Sequence, residues 1–478
     1  MRRLLLAVLV AGCASSLPFA PPVARPLHAG LRPAQASGSA SAVEDAFLAG
    51  VPAVTPGVGS APPKLLEATT KNGVRILGCE RRELPIVSFG IVLKNAMPAG
   101  AAAGYRSLLL GTLRRGTKDV ERSAIYDRFS QLAIEWDSSS IADRGVYFEL
   151  KAVRPLALTG LRRALDMFGD PGLRKEDFDD AKDSVTASAS NGDRSPMTIA
   201  TDLALDRLYP KSASFRSIDA DALKKLTLGE LTAFAQGALT ADNVVVTAAG
   251  DFDWQGLVAT VENELGKLPR GTLAWPVPDH TPPAGALLVA HPAAQAQLVV
   301  AFRGPPTGHP DRAAMLLADA ALSSRLFRSL RLTHGITYGS SVRLYPGRES
   351  PPILISTAVE PGGVLKAMDG VFDAITKVET LSEEEVASSR ALAQAQVQDG
   401  LSTVSGAVGT LAGFGANDLP LNWYDGRWKE LGAVTAADVA RVVKTYLERG
   451  GMQLVVVGDV KGMAKELEAR GLGPVEVR

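Results

Sequence analysis

Histidine and cysteine side chains are the first candidates for metal binding or nucleophilic chemistry, and in this sequence they are few and scattered. The five histidines are His28, His280, His291, His309 and His334. No two of them are separated by the three to five residues typical of paired zinc ligands. The two cysteines, at positions 13 and 79, exclude a disulfide framework and a zinc site of four cysteines. The spacing of the histidines and cysteines therefore predicts no metal site.

Composition and charge narrow the class of protein. The chain has 478 residues, enough for two to four domains, and its 46% apolar content can fill large cores. The 51 basic and 51 acidic residues cancel, so the sequence carries no electrostatic footprint for nucleic acid. We therefore expect no nucleic-acid partner.

The N-terminus has the pattern of a secretory signal. Arg2 and Arg3 precede the apolar run Leu4–Ala11, which is too short to span a bilayer. The run ends in Val10-Ala11-Gly12-Cys13, which resembles a bacterial lipobox, and the following Ala14-Ser15 resembles outer-membrane sorting. We expect residues 1–13 to be a signal peptide with Cys13 lipidated, and the chain to be a lipoprotein on the periplasmic side of the outer membrane. The alternative is an ordinary signal with a chance cysteine.

The next segment, residues 14–63, is rich in proline, alanine and serine. This composition is typical of a flexible tether between an anchor and a folded body.

The body is a duplication. Three pairs of segments share one ungapped offset of 208 residues: Leu173–Phe178 with Leu381–Val386, Leu226–Leu231 with Val434–Val439, and Asn243–Asp251 with Gly451–Asp459. Three equal offsets indicate two homologous domains. We place them at 64–272 and 284–478, with a proline-rich linker at 273–283.

Each half contains alternating apolar runs that predict strands, and longer periodic stretches that predict helices. In the first half, Asn72-Gly73 between two apolar runs predicts a hairpin turn. Strands joined by hairpins, with helices grouped between them, predict an α+β fold in which each half is a sheet with a helix layer.

Several segments carry a resemblance to one family. These are Lys71–Ile76 at the start of the body, Pro98-Ala99-Gly100 and Arg115-Gly116-Thr117 around the first helix, and Ser323–Arg331 followed by His334–Tyr338. Together with the duplication, they make residues 65–478 resemble the M16 (pitrilysin) metallopeptidases, which include insulinase and the mitochondrial processing peptidase.

The resemblance also locates a departure. Active members carry His-x-x-Glu-His on the first helix, where two histidines bind zinc and the glutamate activates water. Here Ser107 and Gly111 stand at the histidine positions and Leu110 at the glutamate position. Counting back from Pro196, the third ligand position falls in Ala187–Ala189, which has no glutamate. We therefore expect no metal site and no catalytic residues in this chain.

The second half keeps the family's arginine and tyrosine, seven residues apart, as Arg331 and Tyr338. The resemblance implies that they reach a zinc site in a partner half, where a guanidinium and a hydroxyl can hold a substrate carbonyl or the oxyanion that forms from it. The alternative is structural, with Arg331 capping a helix and Tyr338 packing in a strand.

Three hypotheses follow. The first is a non-catalytic subunit that completes the peptide-binding chamber of a zinc-bearing M16 partner, with zinc in the partner alone. The second is a structural scaffold of the same fold, and the third is an active zinc endopeptidase with an unusual site. The loss of every ligand argues against the third.

Overall fold

The first half of the chain builds a six-stranded sheet. The computed structural model describes residues 64–141, 145–190, 194–212, 214–274 and 281–478. The strands of the first sheet are β1 (Leu65–Thr69), β2 (Arg75–Glu80), β3 (Ile86–Leu93), β4 (Glu135–Ile141), β5 (Gly145–Val153) and β6 (Val244–Gly250). Their order is β1-β2-β6-β3-β5-β4, antiparallel except for the parallel pair β2 and β6. This order leaves β4 at an edge.

Eight helices belong to the described part of the first half. They are α1 (Tyr105–Leu113), α2 (Arg122–Gln131), α3 (Arg154–Gly169), α4 (Lys175–Ser190), α5 (Pro196–Leu208), α6 (Ala220–Lys225), α7 (Leu228–Ala238) and α8 (Trp254–Leu265).

The second half repeats this plan. Its strands are β7 (Gly285–Ala290), β8 (Ala296–Arg303), β9 (Ser340–Leu344), β10 (Pro352–Val359), β11 (Gln453–Gly458) and β12 (Val475–Val477), in the order β12-β7-β11-β8-β10-β9. Its helices are α9 (Asp311–Leu326), α10 (Val364–Val378), α11 (Glu383–Asp399), α12 (Val404–Ala416), α13 (Trp423–Ala433), α14 (Ala436–Tyr446) and α15 (Met463–Ala469). The edge strand beside β7 is the C-terminal β12, whereas the edge strand beside β2 is the N-terminal β1.

Two of the three repeated segments mark helix starts, and the third marks strands β6 and β11. Thr227 and Glu230 form a reciprocal capping box at the start of α7, and Thr435 and Asp438 form the equivalent box at α14. Each box satisfies two backbone N–H groups that the first turn of a helix leaves without partners. The two equivalent helices therefore begin with the same kind of capping interaction.

Both faces of each sheet are buried. Ile76 in β2 belongs to a core shared with the helices of its own half, whereas its neighbour Leu77 packs on the opposite face. Val456 and Val455 in β11 divide in the same way. Successive side chains in a strand point to opposite faces, so a strand buried on both faces is a continuous apolar run, as in the central strands here.

Each half contributes one helix that covers the face of the other half's sheet lying opposite that sheet's own helices. Helix α5 of the first half packs on the second sheet, where Ala200 and Ala204 meet Val299 and Val457. Helix α12 of the second half packs on the first sheet, where Val408 and others meet Leu77 and Val92 in the core. The two helices are equivalent, since both have 13 residues and their starts differ by 208 (404 − 196). The exchange joins the two homologous sheets through one pair of equivalent helices.

The predicted α+β class with two homologous sheet-and-helix halves is confirmed. The predicted hairpin also forms, with Asn72 and Gly73 in the loop between β1 and β2 and Gly73 at φ 108°, a left-handed conformation that favours glycine. Helix α9 continues into a π-helix at Phe327–Thr333. Cys13, the tether and residues 275–280 of the linker lie outside the described residues.

No helix in the described part of the chain is long and apolar enough to cross a membrane.

Candidate functional site

Helix α1 carries the three positions at which the resemblance places the zinc-binding motif. It follows Gly104, which has φ 94°, and it ends before Gly116, which has φ 138°. Leu108, Leu109 and Leu110 are buried, so the helix is held by its apolar face. Ser107 is exposed.

A cavity of about 200 Å³ lies between α1, α4 and the edge strand β4, and we call it the first-half cavity. Ser107, Leu110 and Gly111 all line it. The structure therefore brings these three positions into the wall of one cavity, beside the helix that the resemblance assigns to the third ligand.

The facing residues of α4 differ from those reached by counting along the sequence. Ala181, Ser184 and Val185 line the cavity, and residues 187–189 are not among its lining residues. A Cβ added to Gly111 would lie 3.3 Å from the Cβ of Ala181, a tight contact. Because α1 and α4 pack so closely there, a histidine at position 111 would need the helices to move apart.

The charged groups of the cavity are arginines. The Arg114 Nη1 donates to the Ser138 Oγ at 3.0 Å, and its guanidinium carbon lies 5.7 Å from the centroid of the Trp136 ring. Arg115 is buried; its Nε donates to the Gly111 carbonyl oxygen at 3.0 Å and its Nη1 pairs with Asp180 at 3.0 Å. A guanidinium donates hydrogen bonds and has no lone pair for a metal.

Among the described residues there is no group of three or more histidine, cysteine or acidic side chains placed to hold a metal ion. The hydroxyls of Ser138, Ser139, Ser140 and Ser184 complete the polar lining. This lining favours an anion or a carbonyl oxygen over Zn²⁺. Arg114 and Arg115 were not predicted as site residues; the signal in the sequence was their position one helical turn beyond Leu110 and Gly111.

Arg331 and Tyr338 are brought together by the end of the π-helix. The Arg331 Nη1 donates to the main-chain oxygen of Tyr338 at 2.9 Å, and its guanidinium carbon lies 5.3 Å from the centroid of the Phe327 ring. The Tyr338 side chain is 84% exposed and precedes β9. The structural alternative, with Tyr338 packed in a strand, does not describe this arrangement.

Cys79 is buried in β2, and burial raises the pKa of its thiol to about 11. The thiol therefore stays protonated near neutral pH and is a poor nucleophile.

A family model described as the Peptidase M16 inactive domain matches residues 225–392, from the end of α6 into α11. Over this part the chain is similar to the M16 peptidases. The His-x-x-Glu-His pattern does not occur in its sequence.

The chain is also similar to individual known proteins. An uncharacterized zinc protease of Mycobacterium tuberculosis is 24% identical over 326 residues, which cover 64% of this chain and 74% of the relative. The crystal structure of a peptidase M16 inactive domain from Pseudomonas fluorescens has a TM-score of 0.73 at 21% identity, covering 83% of this chain and 98% of that one. A putative M16-like peptidase from Alicyclobacillus acidocaldarius has a TM-score of 0.71 at 14% identity, covering 84% and 99%. The two structures share the fold of this chain.

Proposed function

We propose that this chain is a non-catalytic subunit that completes the peptide-binding chamber of a separate, zinc-bearing M16 subunit. The observation that carries the proposal is the contrast between its two halves. The first-half cavity holds arginines and serines at the place of the zinc ligands, whereas the second half presents Arg331 and Tyr338 on its surface.

The geometry of Arg331 and Tyr338 suits the binding of a substrate group that comes from outside this chain. One Nη of Arg331 is used by the Tyr338 carbonyl, so the guanidinium is oriented and keeps further donors. The same bond holds the backbone of Tyr338 in place. The Tyr338 hydroxyl forms no hydrogen bond with any of the described residues. In the complex, these donors would hold a substrate carbonyl and stabilise the oxyanion that develops on it during hydrolysis.

The proposal includes a location. We propose that Cys13 is lipidated and that residues 14–63 tether the folded halves to the outer membrane on its periplasmic side. It rests on the signal-like run and on the Val-Ala-Gly-Cys sequence that ends it.

The experiment is a reconstitution. The chain is mixed with an M16 subunit from the same cell that carries His-x-x-Glu-His, and peptide hydrolysis and complex mass are measured. We expect hydrolysis by the mixture, none by this chain alone, and reduced hydrolysis with Arg331→Ala or Tyr338→Phe. Arg128→Ala removes an exposed arginine of α2 in the first half and serves as the matched control.

An assembled complex whose activity is unchanged by both substitutions would favour the scaffold hypothesis. Chelator-sensitive hydrolysis by this chain alone would instead show an active peptidase and overturn the proposal.

A further inference from the structure

A second cavity, of about 370 Å³, lies in the other half between α9, α10 and α11, and we call it the second-half cavity. Both cavities lie beside equivalent helices, α4 in the first half and α11 in the second, but their remaining lining residues do not correspond at the repeat offset. Ala181 lines the first and Ser389 lines the second, and their numbers differ by the repeat offset (389 − 181 = 208). The two halves therefore keep a cavity beside equivalent helices, but line it with different residues.

The charges of the second-half cavity nearly cancel. Arg325 pairs with Glu385 at 2.6 Å, and Lys377 pairs with Asp373 at 2.7 Å. Arg328 and His334 line the same cavity at exposed positions, and no described residue accepts a hydrogen bond from the Arg328 guanidinium. One positive charge is therefore left without a counterion.

A further donor is also left without an acceptor. The Nε of Arg325 is buried and has no hydrogen-bond partner among the described residues, although the same guanidinium is held in place by Glu385. A buried polar group without a partner is costly, and the same side chain lines the cavity. The hydroxyls of Ser324, Ser329 and Ser389 line the cavity as additional donors.

The rest of the wall limits the kind of ligand. Ala321, Ala374 and Leu381 give the cavity an apolar side. Its volume lies in the range of small-molecule sites and exceeds that of a bare inorganic anion. An organic body with one negatively charged end fits both the apolar side and the single uncompensated charge.

We propose that the second-half cavity binds the carboxylate of a singly charged organic ligand, with Arg328 and Arg325 as the anchoring donors. A planar carboxylate matches the fork of a guanidinium, and such charge-assisted bonds are the stronger ones in proteins. The carboxylate could belong to a free organic acid or to the C-terminus of a peptide, since the chemistry at the arginines is the same.

The test is calorimetric titration of the purified chain with N-acetyl-phenylalanine and with its neutral amide. We expect binding of the acid, no binding of the amide, and at least tenfold weaker binding of the acid by Arg328→Gln. Lys366→Gln, which removes the same charge at an exposed position of α10 away from the cavity, is the control and should bind as the unmodified chain does. Thermal unfolding of each variant checks that it is folded.

Equal binding of acid and amide, or unchanged binding by Arg328→Gln, would overturn the proposal. Tighter binding of inorganic phosphate than of the acid would also overturn it, because the cavity would then prefer a higher charge. A tetrapeptide with a free C-terminus, compared with its amidated form, distinguishes the sources: tighter binding than the amino acid assigns the site to peptide ends, and weaker binding to free acids. None of these outcomes depends on a partner subunit.

Discussion

Gly415 of the exchanged helix α12 lies directly on Val245 of β6. A Cβ added to Gly415 would come within 2.7 Å of the Val245 Cγ1, closer than real Cβ atoms approach other atoms. This position joins the two halves, because α12 comes from the second half and β6 from the first. The small side chain at 415 sets how closely the helix sits on the sheet.

We therefore expect Gly415→Val to destabilise the folded chain by ~1–3 kcal/mol, since overpacking forces neighbouring side chains and backbone to shift. The measurement is chemical unfolding followed by circular dichroism. Gly409→Ala is the matched control on the same helix, because a Cβ there would meet no atom within 4 Å. It should be neutral or stabilising by up to ~1 kcal/mol, from the higher helix propensity of alanine. Equal losses in the two variants would contradict the packing account.

The second prediction concerns metal. We expect the purified chain to contain far less than one zinc per molecule and to keep its unfolding temperature in the presence of EDTA, because the first-half cavity offers arginines and hydroxyls. Elemental analysis and thermal unfolding measure the two quantities. About one zinc per chain, with a lower unfolding temperature after chelation, would show that another ligand set exists.

The third prediction is a dependence of stability on pH. Burial raises the pKa of Asp319 in α9 to about 6, against the opposing charge of Arg312. The unfolded chain then loses this proton at lower pH than the folded chain does, so the folded state is progressively penalised as pH rises from ~4 to ~6. The penalty is complete above pH ~6 and absent below pH ~4.

Asp319→Asn removes this titration. The stability of the variant relative to the original chain should therefore increase by ~2–3 kcal/mol between pH 4 and pH 7, whatever its value at either pH. Urea unfolding at both pH values measures the change. Asp373→Asn, at a half-exposed position of α10, is the matched control for the loss of one carboxylate. A relative stability that is constant with pH would place the Asp319 carboxyl in water.

The fourth prediction concerns the rate of the reconstituted complex. Removing one donor to a developing oxyanion typically costs ~10²–10³ in rate. If Tyr338 contacts the oxyanion, Tyr338→Phe should lower kcat with little change in KM; if it anchors the peptide, the loss should appear in KM. Steady-state kinetics separate the two, and Tyr345→Phe controls for the loss of a tyrosine hydroxyl elsewhere in the second half.

The fifth prediction concerns the anchor. Cys13→Ser should move the chain from the membrane fraction to the soluble periplasmic fraction, because an acylated cysteine supplies the membrane affinity. Fractionation and mass spectrometry of the mature N-terminus measure this. A wild-type chain that is soluble and begins after Cys13 would be an ordinary secreted protein.

Features that depend on residues close together in the sequence could be predicted from the sequence alone. The capping boxes at Thr227 and Thr435 define equivalent helix starts within four residues, so the duplication and its offset were visible without any tertiary information. The apolar runs of β6 and β11 are typical of buried strands, because such runs are favoured where both faces of a sheet are covered. The replacement of the motif at Ser107, Leu110 and Gly111 was equally a matter of residue identity.

Features that depend on how distant elements pack required the tertiary structure. The contact of Gly111 with Ala181 sets the position of α4 against α1, and it places Ser184, not residues 187–189, in the cavity wall. The exchange of α5 and α12 between the sheets is set by which apolar faces remain to be covered, a property of the assembled halves. The unpaired charge of Arg328 likewise appears only when three helices meet, since a side chain's partners are decided by neighbours that are far away in the sequence.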